Sequence, residues 1–249
     1  MDLHLKGKRA LVTGASKGIG AAIAEGLAAE GCHLHLAARN GEALADRARS
    51  LRADHGVEVT THAVDLRDPA AIERLAEAAG DAGILVNNAG DIPAGTLDDI
   101  GSERWRHAWD LKVFGYIDLV RLVYPRLKAR GDGVIVNVIG TGGERPTAGY
   151  IAGGAGNAAL MAFTQALGGE GPRHGVRVVG VNPGPVATER VATMSAANAD
   201  VAASFASLPA GRIAETREVA DLVTFLASDR AAYISGTIVT IDGGMTAAR

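Results

Sequence analysis

Short apolar runs alternate with stretches of helical period along the whole chain. The runs are rich in Val, Leu, Ile and Ala, which is typical of strands that are buried on both faces of a sheet. Between them, apolar residues recur about every three or four positions, which is typical of amphipathic helices. The predicted strands are 9–13, 33–38, 57–63, 84–87, 134–138, 176–181 and 237–241, and the predicted helices are 18–30, 41–54, 69–79, 102–130, 148–170 and 217–227.

This alternation of strand and helix predicts the α/β class. Right-handed crossovers then give a doubly wound parallel sheet, so we expect a single Rossmann-type domain over residues 1–249. The helix over 102–130 is expected to be interrupted near Pro125, because proline removes a helical hydrogen bond. The longest irregular stretch, about 185–212, follows the sixth strand, and we interpret it as a lid over the functional site.

Composition and charge exclude several classes of function. The chain has 249 residues, of which 47% are hydrophobic and 21% charged, so it can bury a substantial core. A formal net charge of −3 does not attract nucleic acid, and no apolar stretch is long enough to span a membrane. The first residues lack the shape of a secretory signal, so we expect a soluble cytoplasmic protein. Cys32 is interpreted as a buried thiol, and the seven His residues show no metal-binding spacing.

A glycine-rich segment joins the first predicted strand to the first predicted helix. It reads Thr13-Gly14-Ala15-Ser16-Lys17-Gly18-Ile19-Gly20, with glycines spaced G-x-x-x-G-x-G. Glycine permits a tight turn and a close approach of the backbone to a pyrophosphate, which a helix N-terminus then binds through free N–H groups. We therefore favour a dinucleotide site here over a merely structural turn.

The end of the second strand indicates which dinucleotide binds. Sites for NAD place a carboxylate there for the ribose 2′-hydroxyl, whereas this chain reads Ala37-Ala38-Arg39-Asn40. Lys17 and Arg39 are two cations placed to meet a 2′-phosphate, which favours NADP(H). The alternative is that both are solvated surface charges.

At this point the chain resembles the short-chain dehydrogenase/reductase family, in its compact single-domain form. The resemblance rests on the glycine-rich segment, Asp65-Leu66, Asn87-Asn88-Ala89-Gly90, Pro183-Gly184 and Ile241-Asp242-Gly243-Gly244. It implies that Asp65 bonds the adenine amino group with Leu66 beside it, and that the chain assembles as a homodimer or homotetramer. It also assigns Asn88, Ala89 and Gly90 to the adenosine ribose side, and Pro183, Gly184, Val186 and Thr188 to the nicotinamide.

The resemblance fails at the catalytic residues. The family uses a Ser, a Tyr-x-x-x-Lys pair and an Asn, and its Lys is typically followed by Ala-x-Leu. That register puts Asn157 at the Lys position, where the nicotinamide ribose is held, and Gly153 at the Tyr position. The Ser position then falls on Gly140 and the Asn position on Lys112.

Three residues are candidates to compensate for these replacements. Lys112 and Asn157 exchange the family's Asn and Lys, so an ammonium can still lie near the nicotinamide ribose if the two positions are neighbours. Tyr150 lies three residues before Gly153, on the same helical face, where the missing side chain leaves space for its phenol. Thr141 can offer a hydroxyl in place of the Ser. The alternative is that Tyr150 packs as an ordinary aromatic and Lys112 is a structural partner.

Weaker candidates surround the expected cleft. Arg145 or Arg190 is placed to meet an anionic substrate group, although solvated loop charges are the simpler interpretation. In the lid, Met194, Phe205 and Leu208 either line an apolar pocket or pack the lid down.

Two functions from different classes follow. The first is an NADP(H)-dependent oxidoreductase that acts on a small-molecule carbonyl or alcohol with a modified proton relay. The second is a coenzyme-binding protein without redox turnover, acting as a sensor or as a subunit of an oligomer. A lyase or isomerase that keeps the fold is a third possibility.

Overall fold

The strands assemble into one sheet in which every neighbouring pair is parallel. The computed structural model describes residues 1–189, 191–193 and 205–248. Its seven-stranded sheet has the order β3-β2-β1-β4-β5-β6-β7. The strands are β1 Arg9–Thr13, β2 His33–Ala38, β3 Val59–Ala63, β4 Ile84–Asn87, β5 Gly133–Val138, β6 Val176–Pro183 and β7 Ile238–Ile241.

Helices cover both faces of this sheet. One apolar cluster includes Ile23, Leu44 and Val223, and a second one includes Leu75 and Leu119. The described helices are α1 Gly18–Ala29, α2 Gly41–His55, α3 Pro69–Ala78, α4 Ser102–Trp109, α5 Gly115–Arg130, α6 Ile151–Glu170 and α7 Thr216–Ala227, with a π turn over Asp110–Phe114 and 3₁₀ turns over Thr141–Gly143, Gly171–His174 and Asp229–Ala231.

The predicted α/β class and the doubly wound parallel sheet are confirmed, and most predicted element ends lie within three residues of the observed ones. The chain order reverses between β1 and β4, which are neighbours in the sheet. In such sheets a crevice opens at that point, outside the carboxyl ends of the strands. No helix in the described part of the chain is long and apolar enough to cross a bilayer.

The predicted interruption near Pro125 is wrong. Pro125 lies inside α5, and the break is the five-residue π turn Asp110–Phe114 between α4 and α5. Pro125 is exposed near the end of α5, where the loss of one hydrogen bond is tolerated. Gly115, which follows the π turn, packs closely against Leu66, because a Cβ at Gly115 would lie only 3.0 Å from the carbonyl oxygen of Leu66. Single π turns of this kind are frequent at functional sites.

The proposed lid is described only in part. Its two ends are joined, because the N–H of Ala187 donates to the oxygen of Ala214 and the N–H of Ala214 donates to the oxygen of Pro185, at 2.8 and 3.0 Å. Residues 190 and 194–204, which include Arg190 and Met194, lie outside the described residues. The expectation of a lid therefore stays a prediction.

Cys32 is expected to resist thiol reagents in the native protein. Its thiol is fully buried and donates to the carbonyl oxygen of Leu5 at 3.4 Å, and burial raises its pKa to about 12. The reactive thiolate is therefore scarce at neutral or mildly alkaline pH. Mass spectrometry after treatment with iodoacetamide should show no label on the native chain and complete label in urea. Equal rates in the two states would contradict this expectation.

Candidate active site

A cleft of about 1590 Å³ runs along the carboxyl edge of the sheet. It collects the glycine-rich segment, the ends of β2 and β3, the segment after β4, the π turn and the segment after β6. The residues predicted for the coenzyme that line it are Gly14, Ser16, Lys17, Gly18, Ile19, Arg39, Leu66, Asn88, Ala89, Gly90, Pro183, Gly184, Val186 and Thr188.

A smaller cavity of about 500 Å³ lies at the opposite edge of the sheet. Two of its cations already have partners within the chain. Lys8 pairs with Asp229 at 2.5 Å, and Arg9 pairs with Asp81 at 2.8 Å. The large cleft is therefore the better candidate for a functional site.

The glycines of the first loop make room for the chain itself as well as for a ligand. Gly14 has a φ of +66°, and a Cβ there would lie 2.9 Å from the Cα of Ala89. A Cβ at Gly20 would lie 2.3 Å from the carbonyl oxygen of Gly14, so a side chain at position 20 would collide with the loop. The amide nitrogen of Asn88 donates to the carbonyl of Thr13 at 3.1 Å, which fastens the end of β4 to the loop.

The N-terminus of α1 fits a pyrophosphate. Its N-cap position, Lys17, makes no side-chain capping hydrogen bond, and its first turn holds no acidic residue. The first N–H groups of the helix are therefore left for an anion at the positive end of the dipole. Gly18 faces the cleft with a φ of +58°, and among the described residues the atom nearest to its missing Cβ is the methyl carbon of Thr188, at 3.5 Å.

The two predicted phosphate cations differ in their surroundings. Lys17 forms an ion pair with Glu189, 3.1 Å from Nζ to Oε2, with both side chains more than 70% exposed. Arg39 is exposed on the cleft, and its guanidinium has no hydrogen-bond partner within the described residues. Its neighbour Asn40 caps α2 by accepting from the N–H of Ala43. Arg39 is thus the stronger candidate for a 2′-phosphate.

Lys112 projects from the π turn into the cleft. Its Nζ donates to the carbonyl oxygens of Val138 and Ile139 at 3.1 and 2.8 Å, at the end of β5. The same nitrogen lies 5.5 Å from the ring centroid of Tyr116, which adds a cation–π contact. A Cβ at Gly90 would lie 2.6 Å from the Cδ of Lys112, so the absence of a side chain at Gly90 makes room for the methylene chain of the lysine.

The ring of Tyr150 lies over Gly153. A Cβ at Gly153 would lie 2.0 Å from Cζ of Tyr150, so the ring occupies the space that a side chain there would take. Tyr150 is half-buried and lines the cleft, and it packs against the same apolar cluster as Trp105 and Trp109. The structure therefore brings Tyr150 and Lys112 to one cleft while leaving part of the phenol ring in an apolar cluster.

Thr141 and Asn157 do not line the cleft. Thr141 is 8% exposed and Asn157 only 2% exposed, and the residue that reaches the cleft here is Gly140. The amide nitrogen of Asn157 donates to the carbonyl of Gly140 at 3.2 Å, next to the Ile139 carbonyl that Lys112 binds. The exchanged positions are thus neighbours, but the expected contact of Thr141 with substrate and of Asn157 with the coenzyme is not supported.

Two other predicted residues, Asp65 and Arg145, bind other parts of the chain. The carboxylate of Asp65 binds Arg67 and does not line the cleft. Arg145 donates to the carbonyls of Met245 and Ala248 at 2.9 and 3.2 Å. Its guanidinium therefore holds the C-terminal segment, and no contact within the described residues places it for an anionic substrate. Phe205 and Leu208 are half-buried away from the cleft. Metal-ligating groups of three or more are absent from the described part of the chain.

Sequence reasoning missed several residues of the cleft. Arg67 follows the Asp65-Leu66 pair directly, and that position was the signal that could have found it. Glu189 lies one residue after Thr188 and forms an ion pair with Lys17. Six more cleft residues without a prediction come from the segment after β4 and from α4: Asp91, Pro93, Ala94, Arg104, His107 and Ala108.

Known proteins match this chain over nearly its whole length. A family model described as enoyl-(acyl carrier protein) reductase matches residues 14–246. The 3-oxoacyl-[acyl-carrier-protein] reductase FabG of Vibrio cholerae is 34% identical over 250 residues, which cover 98% of this chain and 99% of that protein. The chain belongs to the short-chain dehydrogenase/reductase family.

Two further relatives are named after a sugar acid and a sugar. Gluconate 5-dehydrogenase of Gluconobacter oxydans is 32% identical to this short-chain dehydrogenase/reductase over 97% of the chain and 96% of its own length. The structure of L-sorbose reductase from Gluconobacter frateurii, complexed with NADPH and L-sorbose, superposes with a TM-score of 0.92 at 35% identity, over the whole of both chains. These relatives support the predicted fold and an oxidoreductase.

Proposed function

We propose that this chain is an NADP(H)-dependent oxidoreductase that interconverts a carbonyl and an alcohol, with Tyr150 and Lys112 as its proton relay. The observation that supports this proposal best is the placement of the Tyr150 ring over Gly153, in the cleft that also receives Lys112. The cleft therefore contains a phenol, although no Tyr stands at position 153. The named relatives, which are reductases and dehydrogenases, favour turnover over a purely binding role.

The residues present fit the coenzyme. The uncapped N-terminus of α1 would hold the pyrophosphate, and Arg39 would hold the 2′-phosphate, with Lys17 joining once its pair with Glu189 opens. Pro183, Gly184, Val186 and Thr188 would flank the nicotinamide. When bound, the coenzyme supplies or accepts the hydride.

The chain's own groups then manage the proton. In the reducing direction the Tyr150 hydroxyl donates its proton to the carbonyl oxygen as negative charge develops there. The ammonium of Lys112, fixed by the carbonyls of Val138 and Ile139, stabilises the resulting phenolate. Solvent returns the proton to Tyr150 after the alcohol leaves. Oxidation runs through the same groups in reverse.

A panel of carbonyl substrates tests the proposal. NADPH oxidation is followed at the absorbance of the reduced nicotinamide, and products are identified by mass spectrometry. The named relatives suggest the panel: ketoses such as L-sorbose, keto-sugar acids, and 3-oxoacyl thioesters. We expect alcohol formation in proportion to the NADPH consumed. Tight NADPH binding without oxidation by any member of the panel would favour the binding protein instead. Homodimer or homotetramer formation stays a prediction, which light scattering can test.

Arg39→Gln is expected to weaken NADPH binding by about tenfold, because a charge-assisted contact to the 2′-phosphate is lost. NADH binding should stay unchanged, since NADH lacks that phosphate. Fluorescence titration of both coenzymes measures the two Kd values. Lys17→Gln should cost less, because Glu189 already neutralises Lys17.

The matched control is Arg49→Gln, which removes an exposed arginine of α2 that pairs with Asp46. It should leave both Kd values unchanged. An equal loss of NADH and NADPH affinity in Arg39→Gln would contradict the assignment to the 2′-phosphate.

A further inference from the structure

The backbone of Gly140, just after β5, is held from both sides by buried asparagines. Its N–H donates to Oδ1 of Asn182 at 3.2 Å, and its carbonyl oxygen accepts from Nδ2 of Asn157 at 3.2 Å. Asn182, on β6, is 0% exposed, and Asn157, on α6, is 2% exposed. Neither side chain lines the cleft, so both amides bind the main chain and leave a ligand to other groups.

Glu144 fixes the orientation of one of these amides. The amide nitrogen of Asn182 donates to Oε1 of Glu144 at 2.5 Å, and the hydroxyl of Thr240 on β7 donates to the same oxygen. A carboxylate only accepts, so the amide nitrogen of Asn182 is turned towards Glu144 and its oxygen towards Gly140. Hydrogen bonds to an ionised group are the stronger ones, which favours this orientation.

The held backbone lies between the two members of the proposed relay. One residue before Gly140, the carbonyl of Ile139 accepts from Nζ of Lys112 at 2.8 Å. Two residues after Gly140, a Cβ at Gly142 would lie 3.0 Å from Cδ1 of Tyr150, so the backbone there borders the phenol ring. A displacement at Gly140 would therefore reach both groups.

Gly140 and Asn157 also fit one another sterically. Gly140 has a φ of +129°, and a Cβ there would lie 3.1 Å from Nδ2 of Asn157. A serine at position 140 would strain the backbone and press on this amide. The glycine at 140 and the asparagine at 157 are therefore matched replacements.

We propose that Asn157 and Asn182 are positioning residues for the relay of Tyr150 and Lys112. They fix Gly140, and through its neighbours in the chain they hold the ammonium and the phenol ring in a constant arrangement. The effect on turnover rests on the proposed function, whereas the effect on Lys112 itself is measured without turnover.

Reductive methylation with formaldehyde and cyanoborohydride measures how firmly Lys112 is held, because the reaction needs a free amine. Peptide mass spectrometry gives the labelling rate of Lys112 relative to that of Lys128, which is exposed on α5 of the same chain. Asn157→Leu and Asn182→Leu should raise this ratio about fivefold, the factor that one hydrogen bond makes in an equilibrium. An unchanged ratio in either variant would overturn the proposal.

Thr164→Val is the matched control for Asn157→Leu. Thr164 is also on α6 and 0% exposed, and the change removes its hydrogen bond from Asn137, at 2.9 Å, so the melting temperature should fall without a change in the labelling ratio. Asn157→Leu keeps the branched shape and removes Oδ1, which is buried without a partner in the described part of the chain, so we expect it to fold. An equal rise in the ratio for both variants would show that general loss of stability frees Lys112, against the proposal.

Asn182→Asp tests the other asparagine with little change of shape. It would place two carboxylates side by side, so the labelling ratio should rise as in Asn182→Leu. Adding Glu144→Gln returns a donor, because the glutamine amide can donate to the new carboxylate, and the ratio should return to that of the wild type. A double variant labelled as fast as Asn182→Asp would contradict the role given to this hydrogen-bond chain.

Steady-state rates then separate positioning from coenzyme binding. Asn157→Leu should lower kcat by about 10- to 100-fold, as for a misplacement of reacting groups by about 1 Å, while the NADPH Kd stays within about twofold. Equal losses of kcat and of NADPH affinity would count against us. A wild-type chain that binds NADPH but reduces no substrate sinks the proposed reaction, whereas the labelling ratios still decide whether the two asparagines hold Lys112.

Discussion

Tyr150→Phe is expected to lower kcat/KM by about 10²–10⁴-fold, the usual contribution of a positioned acid or base. The change removes one hydroxyl and keeps the ring, which packs over Gly153 and against the apolar cluster that Trp105 and Trp109 also contact. The NADPH Kd and the melting temperature should therefore stay close to wild type. Tyr233→Phe, at a fully exposed tyrosine, is the control and should leave activity unchanged. Full activity in Tyr150→Phe would remove Tyr150 from the mechanism.

Gly153→Ala provides a second approach that leaves the phenol in the chain. The new Cβ would lie 2.0 Å from Cζ of Tyr150, so the ring must move out of its position. Because the helix N-terminus is otherwise kept, we expect activity to fall with coenzyme binding retained. If the ring is displaced and turnover nonetheless persists, then the position of Tyr150 does not matter for the reaction.

The fold was predictable because each buried strand carries its own signal. The β4 residues Ile84–Asn87 are all buried, and an apolar run bounded by glycine and polar residues identifies such a strand without knowledge of its partners. The break between α4 and α5 was not predictable. Proline is a local signal, whereas the π turn is followed by Gly115, which packs against Leu66, a residue that is remote in sequence.

The residues of the site also fall into those that the sequence predicts and those that it does not. The glycine loop and Arg39 could be placed because a strand, a loop and a helix in sequence fix them relative to one another. Thr141 and Asn157 were placed by register alone, and register does not report burial: Asn157 is 2% exposed and turns its amide to Gly140. Partners from remote segments, such as Glu189 for Lys17, are absent from any local pattern.

Lys112→Met is expected to lower kcat by about 10²–10³-fold, the usual loss when a preorganised charge is removed from a site. Methionine keeps an unbranched stem that passes Gly90 but lacks the ammonium. The carbonyls of Val138 and Ile139 then lose the ammonium as a donor, although that of Val138 keeps the Tyr116 hydroxyl at 3.0 Å, and we expect a cost in stability on the order of 1 kcal/mol. Stopped-flow and steady-state rates, with melting curves alongside, measure both effects.

Comparing the effect of Lys112→Met on kcat with its effect on NADPH affinity shows what Lys112 does. Main-chain carbonyls at the end of a buried strand hold its charge, so the charge is in place before a ligand arrives, and in the proposed mechanism it would act chiefly on the developing phenolate. Hence kcat should fall much more than NADPH affinity. Lys128→Met is the control, because that lysine also lies over a tyrosine ring, 5.6 Å from the centroid of Tyr124, but is exposed on α5. If Lys112→Met melts at a lower temperature yet keeps its kcat, the lysine only ties the π turn to β5, and the relay must reside elsewhere.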